Sequence, residues 1–374
     1  MMSKYYTSEA IRKLNCTYNI IIGQRSNGKT YDALYHGLED FVKTGAQFAI
    51  VRRWDEDFNK QRGASMFTGL TANRYGENVI ARLTDGQWND VYYYSRRWYF
   101  CRFDKQLNKR ITCDDPFAYG FSLSATEHDK STSYNKVKTI IFDEFLTRSI
   151  YLANEFVLFM NTVSTIARDR DDEVKIFMLG NTVNQYCPYF EEMGLTRIRQ
   201  QEPGTIDVYT MGEVAGNHVK IAVEYCKQRE NAGKSKKAKT DLFCFDNSRL
   251  KMITSGAWEI EVYPHCPVKY KTTEVIFHFF VDFKGDMLHC EVVAHEDLLF
   301  IFVHPKTTDL KNTEKDLIYT TDYNVRPNYR RYINKPITKT EQKIYGLFLA
   351  DKIFYSDNQT GEVMRNYLAW CKSA

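Results

Sequence analysis

The sequence predicts an α/β fold: a parallel-sheet domain carrying a phosphate-binding loop, then a smaller α+β domain. Three observations predict it. A glycine-bounded octapeptide, Gly23-Gln24-Arg25-Ser26-Asn27-Gly28-Lys29-Thr30, lies between an apolar run and a helix-compatible run. A second apolar run, Thr139-Ile140-Ile141-Phe142, closes on two carboxylates, Asp143 and Glu144. Beyond Trp258, strand-like runs follow one another with short turns between them.

The octapeptide fits G-x-x-x-x-G-K-[ST] at every fixed position, and its flanks supply the strand and helix that such a loop needs. Gly23 and Gly28 allow bends that a Cβ would obstruct. The loop N–H groups and the helix N-terminus then face phosphate oxygens. Lys29 would sit on the β- and γ-phosphates of ATP, and the Thr30 hydroxyl would bind Mg²⁺. The plain alternative is a chance glycine-rich turn, which the flanking strand and helix argue against.

Phe48–Val51 reads as a second parallel strand, ending in Arg52-Arg53. Ligands of open α/β sheets bind at such C-terminal strand ends. Phosphate or DNA contact and a solvated strand end fit this pair equally well. Asn89–Phe103 alternates aromatics with Arg96 and Arg97 and predicts an antiparallel hairpin, half-buried rather than stacked on nucleic acid. Downstream of an intact phosphate loop, the strand closing on Asp143 and Glu144 is the acidic partner: Asp143 for the metal, Glu144 for the attacking water.

Tyr151–Ala167 has helical spacing and runs into Arg168-Asp169-Arg170-Asp171-Asp172. An arginine there could reach a neighbouring subunit's γ-phosphate; a solvated charge cluster is the ordinary alternative. Lys175–Leu179 predicts a further strand ending Gly180-Asn181-Thr182, which would set the Asn181 amide level with Asp143 as a γ-phosphate sensor, or else form a common turn. Between Asn217 and Asn247 a cluster of Lys234, Lys236, Lys237 and Lys239 marks a charged connector. Glu274–Phe283, Leu288–Val293 and Leu298–Val303 read as strands, and Glu341–Phe354 and Glu362–Trp370 as helices. Asp282 suggests a nuclease carboxylate, but no acidic cluster surrounds it in sequence, so it reads as structural. The expected domains are therefore 1–210, a linker 211–256, and 257–374.

Composition sets limits. The chain has 374 residues and 43% hydrophobic content, enough for two or three packed domains. Net charge is only +4, so polyanion contact must come from local patches. Nine cysteines without a C-x-x-C pair read as reduced thiols rather than a disulfide frame. His265-Cys266 and His289-Cys290 are adjacent pairs, a spacing that argues against zinc. The polar N-terminus is unlike a signal peptide, and no run reaches the roughly 20 apolar residues of a membrane span.

The combination resembles the DNA-packaging (encapsidation) ATPases of small protein-primed tailed phages of the phi-29 type. The residues that carry it are Ile21 to Arg25, Lys29-Thr30, Val51-Arg52-Arg53, Ile140 to Phe145, Gly180-Asn181-Thr182 and Pro188-Tyr189-Phe190. The resemblance implies an ASCE-type P-loop NTPase domain followed by a vestigial RNase H-like domain. It implies a ring motor, pentameric, at a capsid vertex in the host cytoplasm, pulling double-stranded DNA into a prohead, in some members with a structural RNA. By position Arg168 is similar to that family's trans-acting finger, with Arg170 a rival, and Arg25 is similar to an arginine found in the loops of viral packaging motors. Gln24, Ser26 and Asn27 depart from the loop of the best-known member. A P-loop helicase, a small-molecule kinase and a non-enzymatic nucleotide-binding assembly protein remain as other readings.

Overall fold

The structure is a computed structural model describing residues 5–73, 76–128, 134–148, 151–168, 170, 172–214, 217–227 and 261–373. Two compact units make up the chain, one ending at Glu259 and the other beginning at Ile260.

The first unit is built on a ten-stranded sheet. Its strands are β1 (Tyr18–Gly23), β2 (Gln47–Arg52), β3 (Asp90–Tyr94), β4 (Arg97–Asp104), β5 (Lys109–Thr112), β6 (Ala118–Ser122), β7 (Val137–Asp143), β8 (Lys175–Asn181), β9 (Thr205–Val214) and β10 (Asn217–Tyr225). They lie in the order β3-β4-β6-β2-β7-β8-β1-β10-β9, with β5 on β4. From β6 through β10 every neighbouring pair is parallel. Alternate residues of the central strands face opposite sides, and both sides are covered. Ile20, Ile22, Ile140, Phe142, Ile176 and Met178 join one core. Ile21, Ile141, Phe177 and Leu179 join the other. Strands buried on both faces read as unbroken apolar runs, which is why these segments lack polar alternation.

The phosphate-loop strand and the acidic strand are not neighbours, because β8 lies between β1 and β7. The two loops are thus not at adjacent strand tips. Helix Lys29–Thr44 follows the loop and closes on Gly45 at φ 75°. The predicted aromatic hairpin is β3–β4, turning at Ser95 and Arg96 with φ 48° and 57°. Trp98 and Phe100 are buried while Tyr94 and Phe103 are exposed, so the hairpin is half-buried.

The sheet runs past the expected boundary at 210: β9 and β10 extend it to Tyr225, and β10 pairs directly with β1. A composition shift marked where charge rises, whereas strand pairing decides where the sheet ends. The lysine cluster at 234–239 and Trp258 lie outside the described residues. The helix read over Tyr151–Ala167 occupies Glu155–Ile166.

The second unit is an α+β fold around a six-stranded sheet. Its strands are β11 (Val275–Phe283), β12 (Asp286–His295), β13 (Leu298–Pro305), β14 (Ile318–Thr320), β15 (Tyr329–Arg330) and β16 (Ile353–Tyr355). The meander β11–β12–β13 is antiparallel, β14 and β15 run parallel beside β11, and β16 pairs with β13. The full order of this sheet is β15-β14-β11-β12-β13-β16. The helix read over Glu341–Phe354 stops at Leu349, and Phe354 belongs to β16. The last helix is Asn358–Ser373. Asp282 ends up near two other carboxylates: burial first, then Asp322 and Asp286, raise its pKa above the ordinary carboxylate value. That grouping is invisible in sequence, because Asp322 arrives from the segment after β14.

Candidate nucleotide site

Four parallel strands deliver their C-terminal ends to one edge of the sheet: Gly23 from β1, Asn181 from β8, Asp143 from β7 and Arg52 from β2. A cavity of about 590 Å³ opens there, lined by Arg25 through Thr30, Arg52, Trp54, Asp57, Asp143, Glu144, Arg148 and Asn181. Its size suits a nucleotide.

The loop is held tightly. A Cβ on Gly23 would lie 2.8 Å from Cys226 Cβ, so only glycine fits. Gly28 sits at φ 104°, a conformation that L side chains rarely adopt. Asn27 is buried; its side-chain oxygen accepts from the Lys29 N–H at 3.2 Å, and its carbonyl accepts from the Tyr6 N–H at 3.0 Å. Arg25 and Ser26 form the exposed crest beside half-buried Gln24, with Ser26 at φ 58°.

Lys29 is 6% exposed. Its ammonium donates to Gly23 O at 3.1 Å, Gln24 O at 2.9 Å, Asn27 Oδ1 at 3.2 Å and Asn181 Oδ1 at 3.3 Å. Burial pulls its pKa down to about 8, against the attraction of Asp143. Thr30 Oγ1 donates to Asp143 Oδ1 at 2.9 Å. A buried cation curled into loop carbonyls, beside a hydroxyl paired with a carboxylate, fits a triphosphate and a divalent cation. Lys29 would turn to phosphate oxygens, while Thr30 and Asp143 would hold Mg²⁺. When bound, that ion neutralises charge on the phosphates.

Arg52 spans both carboxylates, with Nη2 2.5 Å from Asp143 Oδ2 and Nη1 3.0 Å from Glu144 Oε2. It is neither a solvated strand end nor, in this arrangement, a phosphate contact. Glu144 is 62% exposed in its side chain and sits at φ 60°. A non-glycine residue held there marks stored strain of the kind that clusters at functional sites. Arg53 points the other way into the core. Its Nε donates to Glu155 Oε2 at 2.7 Å, and its Nη2 donates to Glu155 Oε1 at 2.9 Å and Phe145 O at 2.7 Å. Tyr189 Oη and the Leu152 N–H complete the shell of Glu155. Consecutive residues leaving a strand face opposite sides, and that period was the signal that could have separated the two arginines.

Asn181 pairs in register with Gly23, while Asp143 pairs with Leu179, two residues short of it. The amide therefore lies opposite the loop rather than level with Asp143. Arg168 is exposed and outside the cavity lining. Arg170 is committed elsewhere: its side chain is 4% exposed, it donates to Tyr134 O at 3.2 Å and to Val137 O, and it pairs with Asp172.

The model of the podovirus DNA encapsidation protein (Gp16) family matches residues 92–211. That stretch holds Asp143, Glu144, Arg168 and Asn181 and leaves the phosphate loop outside. The DNA packaging protein of Bacillus phage phi29 is 28% identical over 191 residues, 50% of this chain and 49% of that protein. Its counterpart in Bacillus phage B103 is 30% identical over 182 residues, 47% of this chain and 48% of that protein. The chain thus spans about half the length of the curated relatives it matches. In fold it is similar to the bacteriophage Phi-29 viral genome packaging motor assembly, with a TM-score of 0.52 at 19% identity over 100% of both chains. The Phi-28 gp11 DNA packaging motor gives a TM-score of 0.52 at 16% identity over 99% of both. In sequence over about half its length, and in fold over the whole of it, the chain is similar to the DNA packaging proteins of phi29-type phages.

Proposed function

We propose that the chain is an ATP-driven motor that translocates double-stranded viral DNA into a prohead. The observation that carries this reading is the convergence of Lys29, Thr30, Asp143 and Glu144 on one cavity at the sheet edge. In this reading Gly23 to Thr30 bind the triphosphate, and Asn181 meets its terminal phosphate. Glu144 Oε takes a proton from the attacking water once Arg52 releases it. Arg52 neutralises both carboxylates while no cation is bound, so divalent-metal and nucleotide binding compete with its two ion pairs.

The motor acts as a homo-oligomeric ring, a pentamer by analogy, in the host cytoplasm, docked on the portal vertex. In this reading Arg168, exposed and outside its own cavity, completes a neighbour's site, and Arg25, exposed on the loop, contacts phosphate. A structural RNA is a further candidate partner. Among the described residues no helix is long and apolar enough to cross a membrane. Neither a helicase nor a metabolite kinase is supported by the comparisons.

The test is the ATPase rate with and without duplex DNA, on monomer and on assembled rings. Stimulation by duplex in rings supports the motor. Phosphate transfer to a metabolite, or no turnover under any condition, overturns it.

A further inference from the structure

The antiparallel meander of the second unit gathers imidazoles on one face. His289 and Glu291 flank buried Cys290 on β12, so they share the opposite face. His304 on β13 is the direct cross-strand partner of His289, and their ring centroids are 4.8 Å apart. His278 on β11 pairs with Glu291, with its ring 5.6 Å from that of His289. One nitrogen from each of His289 and His304 and one Glu291 oxygen lie within 4.8 Å of one another.

Outer partners already orient these atoms. Tyr270 Oη donates to Glu291 Oε2 at 2.5 Å, which leaves Oε1 turned to the cluster. His304 Nδ1 lies 3.2 Å from Pro305 O. A carbonyl only accepts, so the proton belongs on Nδ1 and the lone pair on Nε2. It is Nε2 that faces Glu291 Oε1, at 4.0 Å. That is beyond hydrogen-bond reach. His289 Nε2 is buried and has no hydrogen-bond partner among the described residues. An ion pair between His304 and Glu291 leaves that atom unexplained. A shared cation satisfies all three.

We infer that His289, Glu291 and His304 form a binding site for a divalent transition ion of the zinc class, clipping β12 to β13. Two imidazoles and one carboxylate suit such an ion, whereas Mg²⁺ and Ca²⁺ favour an all-oxygen shell. Donor atoms around zinc at about 2.0–2.2 Å sit closer than the present spacing, so small side-chain rotations close the site. Three protein ligands leave a fourth position for water or for His278. The spacing that matters is i, i+2 along one strand plus a cross-strand partner. Adjacent residues such as His289-Cys290, pointing to opposite faces, could never supply it.

The full chain, stripped with chelator, is titrated with Co²⁺ while visible absorption is followed, then with Zn²⁺ by calorimetry. One equivalent with nitrogen–oxygen ligand-field bands is expected. His289→Gln and His304→Asn should each weaken binding by at least the roughly 10–100-fold that loss of an outer partner costs, and Tyr270→Phe by about that factor. Cys266→Ser should leave the bands unchanged. Equal thermal midpoints of variants and parent in chelator establish that the variants fold; if His289→Gln does not, His304→Asn carries the test. No uptake, an unaltered spectrum in folded His304→Asn, or thiolate bands lost in Cys266→Ser would each overturn the assignment.

Discussion

Thr30 Oγ1, in the first turn of the helix after β1, donates a 2.9 Å hydrogen bond to Asp143 Oδ1 at the end of β7, although β8 lies between β1 and β7. The loop hydroxyl and the acidic strand tip come from positions 113 residues apart. Their meeting is the geometric basis of the proposed cation site, and the following outcomes depend on it or on the frame around it.

Glu144→Gln should bind nucleotide as the parent does and turn it over about 10²–10⁴-fold more slowly, the range that a positioned proton acceptor contributes. Nucleotide-binding fluorescence and phosphate release measure the two separately. Unchanged turnover would remove Glu144 from the reaction.

Arg168→Ala should leave nucleotide binding by the monomer intact and lower turnover by about 10³–10⁵-fold in assembled rings. Doping the variant into parent rings should cut the rate faster than in proportion to its fraction. A simple proportional fall would place Arg168 outside the neighbour's site.

The Arg53–Glu155 pair is buried, at 7% and 0% exposure. Arg53→Met alone strands a carboxylate in the core and should cost about 3–5 kcal/mol in denaturant unfolding. Adding Glu155→Leu should recover most of that loss. If the double variant is as unstable as the single, packing rather than the uncompensated charge is the cause.

Glu224 accepts from Tyr6 Oη at 2.7 Å, and burial raises its pKa above the ordinary carboxylate value. Between the ordinary value and the raised one the folded state holds more protons than the unfolded state. Stability contributed by this group is therefore full at low pH and lost as pH rises through the folded value. Glu224→Gln should raise the thermal midpoint at pH 7–8, and the gain should shrink in mild acid. An equal gain at both pH values would mean that the carboxylate is not the source.

Gly23→Ala places a methyl 2.8 Å from Cys226 Cβ. Overpacking of this kind costs about 1–3 kcal/mol. Cys226→Gly should restore part of the midpoint in a thermal melt. Failure of that rescue would point to the loop backbone instead.

By itself the sequence determined the elements whose cause is local. The Gly23–Thr30 loop, the apolar strands β1, β2, β7 and β8, the β3–β4 hairpin and the acidic tip at Asp143-Glu144 each follow from spacing, apolar runs and turn chemistry within a dozen residues. Only the tertiary structure decided what meets what. It inserted β8 between β1 and β7, carried the sheet on to Tyr225, sent Arg52 to the carboxylates and Arg53 into the core, and committed Arg170 to the entry of β7. It also set His304 opposite His289. The physical reason is that strand order and cross-strand register are fixed by burying whole faces at once, a condition summed over segments hundreds of residues apart, which no window of the chain contains.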